Sequence, residues 1–140
     1  MNPSDFRSSV RARLFGLGDR GPKNLDDVVF FLEGKARSQG SVRTVDPRKH
    51  EPRELVFRNG LQLRFDVGFE KAENGWMVRN YSFHVSRNGT WFRYDLDPDA
   101  ARGQKHPIAH LHVGEDEPRY PTQALDILAL FDFLIAQDLV

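Results

Sequence analysis

The sequence predicts an α+β fold, an antiparallel meander sheet of about five strands with N-terminal helices and a C-terminal helix packed on one face. Three observations carry this reading. Apolar residues recur at helical spacing before residue 40, they alternate with polar ones between residues 54 and 114, and the final stretch returns to a mostly apolar helical run. The 140 residues suit a single domain, 1–140, with a helical part over 1–40, the sheet over 54–114 and the last helix over 121–138.

Residues 4–17 form the first expected helix. Ser4 can cap it, Phe6, Val10, Leu14 and Leu17 share one face, and Gly16 and Gly18 stop it. After the breaker Gly21-Pro22, Asn24 is placed to cap a second helix whose stripe is Leu25, Val28, Val29, Leu32 and Ala36, with Asp26 and Asp27 in its first turn. The period then changes to two. Leu61, Leu63, Phe65, Val67 and Phe69 alternate with polar residues after an Asn59-Gly60 turn, and Tyr81, Phe83 and Val85 do so after the turn Glu73-Asn74-Gly75. Asn88-Gly89 reverses the chain into Thr90–Leu96, and a shorter run, Ile108–Val113, follows a polar loop. Pro121 suits the first turn of the closing helix, whose polar edge is Asp126, Asp132 and Gln137. That helix is expected to lie across the sheet or to share its apolar face with a partner.

Composition excludes several classes. Eleven Phe and 39% apolar residues rule out a disordered tail, and no apolar run reaches the ~18 residues of a membrane span. The absence of cysteine removes disulfides, thiolate nucleophiles and sulfur-ligated zinc, and no signal-peptide core is present, so a cytoplasmic protein is the expectation. Net charge is zero, but unevenly spread: residues 1–50 hold ten Lys+Arg against six Asp+Glu, and residues 106–140 hold one against six. A polyanion such as RNA would meet the helical half, through Arg7, Arg11, Arg13 and Arg37, and the same asymmetry permits head-to-tail homo-oligomers.

The Asn88-Gly89 turn also fixes a register. A two-residue loop pairs Arg87 with Thr90, so His84 faces Arg93 and Ser82 faces Asp95, with Trp91 on the same side, while Phe83, Val85, Phe92 and Tyr94 face the core. If Leu111 and Val113 also point into the core, His110 and His112 project beside Arg93 and Asp95. His84, Arg93, Asp95, His110 and His112 are therefore the candidate catalytic residues, with His106 at the rim and His50 in a solvated loop. Two imidazoles can serve as general acid and base, with Arg93 stabilising charge and Asp95 orienting a ring, the parts of a metal-independent ribonuclease or phosphodiesterase. Alternatively His110, His112 and Asp95 can chelate a transition metal. The same residues could also form an ordinary cross-strand ladder, stabilising the sheet by roughly a few tenths of a kcal/mol per pair.

The block Trp91-Phe92-Arg93-Tyr94-Asp95, then His106-Pro107, then His110-Leu111-His112-Val113-Gly114 and a terminal apolar helix resembles small bacterial proteins of the TumE-like toxin–antitoxin group. The similarity spans about residues 90–135. The string His110-Leu111-His112-Val113 is also similar to the signature of the histidine-triad nucleotide hydrolases, whose third histidine is replaced here by Gly114. The toxin-group resemblance implies a small accessory or toxin protein held in check by a protein partner and acting on RNA, with Arg93, Tyr94, Asp95, His110 and His112 at the matched positions. Trp91 and Tyr94 join the four arginines as binding candidates. Three roles follow: a non-catalytic interaction subunit of a toxin–antitoxin or defence-type system, docking through its first or last helix; an RNase-like toxin without metal; or a metal-dependent hydrolase. No cofactor and no membrane partner are expected.

Overall fold

Asn2, not Ser4, opens the first helix. In the computed structural model, which describes residues 1–36, 38–98, 109–116, 118–123 and 127–136 apart from the side chains of residues 35, 36, 127 and 134–136, helix α1 runs Pro3–Gly16. The Asn2 Oδ1 accepts the Asp5 backbone N–H at 2.7 Å, and Pro3 takes the first-turn position, where its missing N–H costs nothing. Phe6, Val10 and Leu14 are buried as the spacing requires.

The expected second helix is a strand. Leu25–Asp27 make a single 3-10 turn, and Val29–Ala36 form β1, paired antiparallel with β2, Gln39–Val45. The run Val28-Val29-Phe30-Phe31 is β-branched and aromatic, so it fits a pleated surface better than a helix, and Val28 and Phe30 are buried in alternation. Asn24 caps nothing. Its side chain donates to the Glu54 carbonyl at 2.9 Å and accepts from the Val56 N–H at 2.8 Å, fastening this turn to the distant segment Glu54-Leu55-Val56.

The remaining strands are β3 (Leu55–Val56), β4 (Gln62–Ala72), β5 (Gly75–Arg87), β6 (Thr90–Leu96), β7 (Ala109–Val113) and β8 (Tyr120–Pro121). Strands β4 to β7 are the four runs that alternation located, within an expected total of about five. Among the described residues β1, β2, β3 and β8 bring the sheet to eight, in the order β1-β2-β4-β5-β6-β7-β8, β2 and β3 sharing one edge of β4. Pro121 does not begin the last helix but pairs with His110, and the described part of that helix, α2, is Ile127–Ala136. Residues 124–126 and 137–138 of the expected helix lie outside the described residues.

Both helices cover one face, and their contacts meet on Phe65. Its ring lies 5.6 Å from Phe83, 5.9 Å from Phe30, 6.0 Å from Phe6 of α1 and 5.9 Å from Phe131 of α2, in stacked or edge-on pairs. Arg13 of α1 and Asp132 of α2 join above this cluster at 3.1 Å, while Phe133 remains exposed. Among the described residues no helix is long and apolar enough to cross a membrane.

Candidate active site

The opposite face of the sheet gathers the ionisable candidates. Asn88 and Gly89 both have positive φ, 54° and 80°, which matches the twist of a two-residue hairpin, and the pairs Arg87↔Thr90, His84↔Arg93 and Ser82↔Asp95 follow as expected. Strand β7 then sets His112 opposite Arg93 and His110 opposite Asp95. Register alone thus brings His84, Arg93, Asp95, His110 and His112 to one face.

Burial along β7 departs from expectation. Val113 was expected in the core but is 54% exposed, and Leu111 is only half-buried, whereas His110 and His112 are each 2% exposed. The helical cover centres on Phe65 and Phe83 of β4 and β5, so the apolar side of β7 is poorly roofed. On its other side the chain after Gly114 folds back over the histidines. The His112 Nδ1 meets the Asp116 backbone carbonyl at 2.8 Å.

Around Asp95 three side chains converge. Arg93 Nε donates to Oδ1 at 3.1 Å and to Oδ2 at 2.9 Å. The Oδ2 also lies 3.2 Å from His112 Nε2 and 3.6 Å from His110 Nε2, and the two imidazoles cross at 83°. One ligand atom from each of Asp95, His110 and His112 lies within 4.8 Å of the others, a spacing open to a metal ion.

The polarity of His112 sharpens the point. A carbonyl oxygen only accepts, so Nδ1 carries the proton that meets Asp116, and in the neutral ring Nε2 presents a lone pair to Asp95 Oδ2, itself an acceptor. Two acceptors at 3.2 Å in a buried site require a cation between them, a proton or a metal.

His84 belongs to the same face but to a different neighbourhood. Its ring stacks on Trp91 at 5.2 Å, and the Arg93 guanidinium lies 5.7 Å from the same indole. Burial, and after it the charge of Arg64, holds its pKa below the ordinary 6.5, with Arg93 adding and Glu54 and Asp95 opposing. Tyr94 faces the core side beside Phe92 and does not join the cluster. Arg7 and Arg11 line a groove of about 300 Å³ with Phe15 and Val29 on the helical side, and Arg13 is engaged by Asp132. Arg37, His106 and Pro107 lie outside the described residues.

Three further residues escaped the sequence reading. Arg43 and Arg64 line a cleft of about 320 Å³ with His84 and Arg93, and a second cleft of about 470 Å³ lined by Arg93 and Asp95 adjoins it. Arg43 escaped because alternation was followed only from residue 54, although Ser41-Val42-Arg43-Thr44-Val45 belongs to a paired strand. Asp116 reads as one of an acidic run, and nothing in its side chain announces that its carbonyl orients His112.

The family model for Toxin TumE matches residues 30–138. It therefore begins in β1 and takes in the first half of the sheet as well as the 90–135 block that carries the visible resemblance, leaving residues 1–29, with α1 and the turns after it, and the last two residues outside. Neither a curated protein nor a solved structure matches the chain. On the strength of the family match the chain belongs to the TumE toxin family.

Proposed function

We propose that the chain is a toxin that works as a metal-dependent hydrolase, with Asp95, His110 and His112 as metal ligands, and that a protein antitoxin restrains it. The observation that carries this reading is the pair of facing acceptors, His112 Nε2 and Asp95 Oδ2, set by the Nδ1 contact to the Asp116 carbonyl. A metal ligated by an imidazole is characteristically supported by such an outer contact on the other ring nitrogen. Arg93 plays the matching part for the carboxylate, holding Asp95 in place through both oxygens. Two histidines and one carboxylate are a common protein share of a catalytic zinc or iron site, which leaves room for water. A divalent ion held there supplies an activated water nucleophile at neutral pH.

The test is growth inhibition on induced expression in a bacterial host, with the variants Asp95→Asn, His110→Ala and His112→Ala measured beside the parent. Each is expected to abolish inhibition while the purified protein still unfolds cooperatively. Full inhibition by all three folded variants would overturn the reading and leave the interaction-subunit role, in which the chain acts by binding. Histidine-dependent inhibition from protein that holds no metal would overturn the metal and return the pair to protonic acid–base catalysis. Co-expression with the neighbouring small gene, followed by co-purification, tests the antitoxin.

A further inference from the structure

We infer that the cleft beside the histidine cluster is an oxyanion subsite that takes a phosphate ester group through Arg43, Arg64, His84 and Arg93, which makes the substrate of the proposed hydrolase a phosphodiester. The catalytic consequence rests on the hydrolase reading; the binding does not.

Register assembles the subsite. Arg64 faces His84, His84 faces Arg93 and Arg93 faces His112, so four strands contribute one continuous row ending at the histidine cluster. At about 4.8 Å per strand the row spans roughly 14 Å. Arg43 enters from β2 opposite Asp66, two residues along β4 from Arg64 and so on the same face. The cleft of about 320 Å³ between them is lined by the guanidiniums of Arg43, Arg64 and Arg93 against the single carboxylate of Asp66.

Two of its polar atoms are buried without a partner among the described residues, Arg43 Nε and His84 Nδ1. The Arg43 group is decisive, because a guanidinium nitrogen can only donate, so what it lacks is an acceptor. Buried polar atoms are paired in folded proteins, and an orphan calls for an ion or ligand to complete it. Arg64 also has donors to spare. Its contact with Glu54 spans 3.8 Å, beyond hydrogen-bond distance. Planar guanidiniums from several directions suit the tetrahedral oxygens of a phosphate, and His84, held neutral by burial and by Arg64, adds a ring nitrogen without a charge of its own.

Arg93 links the subsite to the reaction centre, since it lines the cleft and also grips Asp95. A phosphodiester seated there would present its phosphorus toward the histidine cluster. Hydrolysis adds one water across one ester bond: the water oxygen joins phosphorus, the P–O bond to the leaving group breaks, and the departing oxygen takes up a proton.

Binding to the purified protein is the test, with inorganic phosphate, acetate and a short single-stranded RNA oligonucleotide as probes and calorimetry as readout. Phosphate or the oligonucleotide is expected to bind, more weakly as salt rises, and at least tenfold more weakly in Arg43→Lys and Arg64→Gln, while metal content is unchanged. The lysine variant keeps the charge and loses Nε, so it isolates the orphan donor, and its thermal melt shows that it folds. Binding of both probes indicates that one phosphate group suffices, and binding of the oligonucleotide alone indicates a polymer; either supports the subsite. It is overturned if neither binds, if both variants bind as the parent does, or if acetate competes equally with phosphate. Arginine-dependent phosphate binding in a protein without metal would keep the subsite and sink the hydrolase, whereas metal without phosphate binding would do the reverse.

Discussion

Strands β4 and β7 lie in one sheet and bury opposite kinds of side chain. Along β4 the rule is solvent exclusion: Leu63, Phe65, Val67 and Phe69 go in, and Arg64 and Asp66 stay out. Along β7 the two histidines are buried and Val113 is exposed, so transfer from water cannot be what orders that strand. Its burial is sustained by charge and hydrogen bonds, through Asp95, Arg93 and the Asp116 carbonyl. The difference separates a surface held by apolar packing from one held by polar contacts.

Breaking the stabilising side should produce the largest effect on folding. Phe65→Ala removes the ring on which both helices meet, and a loss of about 3–5 kcal/mol in denaturant unfolding is expected. His112→Ala at equal burial should cost clearly less stability than Phe65→Ala, yet remove growth inhibition outright. A parallel loss of stability in the two variants would erase the contrast between the strands. A milder probe of the same side is Asn2→Ala, which deletes the α1 cap and should cost about 1 kcal/mol in thermal or chemical unfolding without altering metal or phosphate binding.

The smallest effect concerns pH. The folded-state pKa of His84 lies below its ordinary 6.5, so below that pH the unfolded chain takes up a proton that the folded chain resists. Its contribution is complete above pH 6.5 and is lost as pH falls from there toward the folded value. Melting temperatures at pH 7.5 and 5.5 should therefore fall further in the parent than in His84→Gln. An equal fall would show that burial and the Arg64 charge do not hold this ring's pKa down as described.

Much of the polar face was legible beforehand, because one turn determined it. Asn88-Gly89 is a strong hairpin signal, and once Arg87 pairs with Thr90 every opposed pair out to Asp95 follows by counting. The placement of His110 and His112 needed only one more strand return. Burial was not legible there, since alternation says which way a side chain points and not how much covers it; the cover comes from the chain after Gly114, and Val113 is left exposed on the apolar side, two strands from where the helices centre. The misread second helix has a different cause. Leu25, Val28, Leu32 and Ala36 satisfy helical spacing, but Val28 and Phe30 satisfy alternation too, and pairing with Gln39–Val45 settled it. With β2 unseen, Arg43 and the arginine cleft could not be found.

The account turns on a cation between His112 and Asp95, and metal analysis of the protein purified without an affinity tag tests that most directly. One divalent transition-metal ion per chain, lost in both His112→Ala and Asp95→Asn and restored to the parent after chelation and reloading, is the predicted result. A folded, toxic protein that carries no such metal and gains none on titration would contradict it.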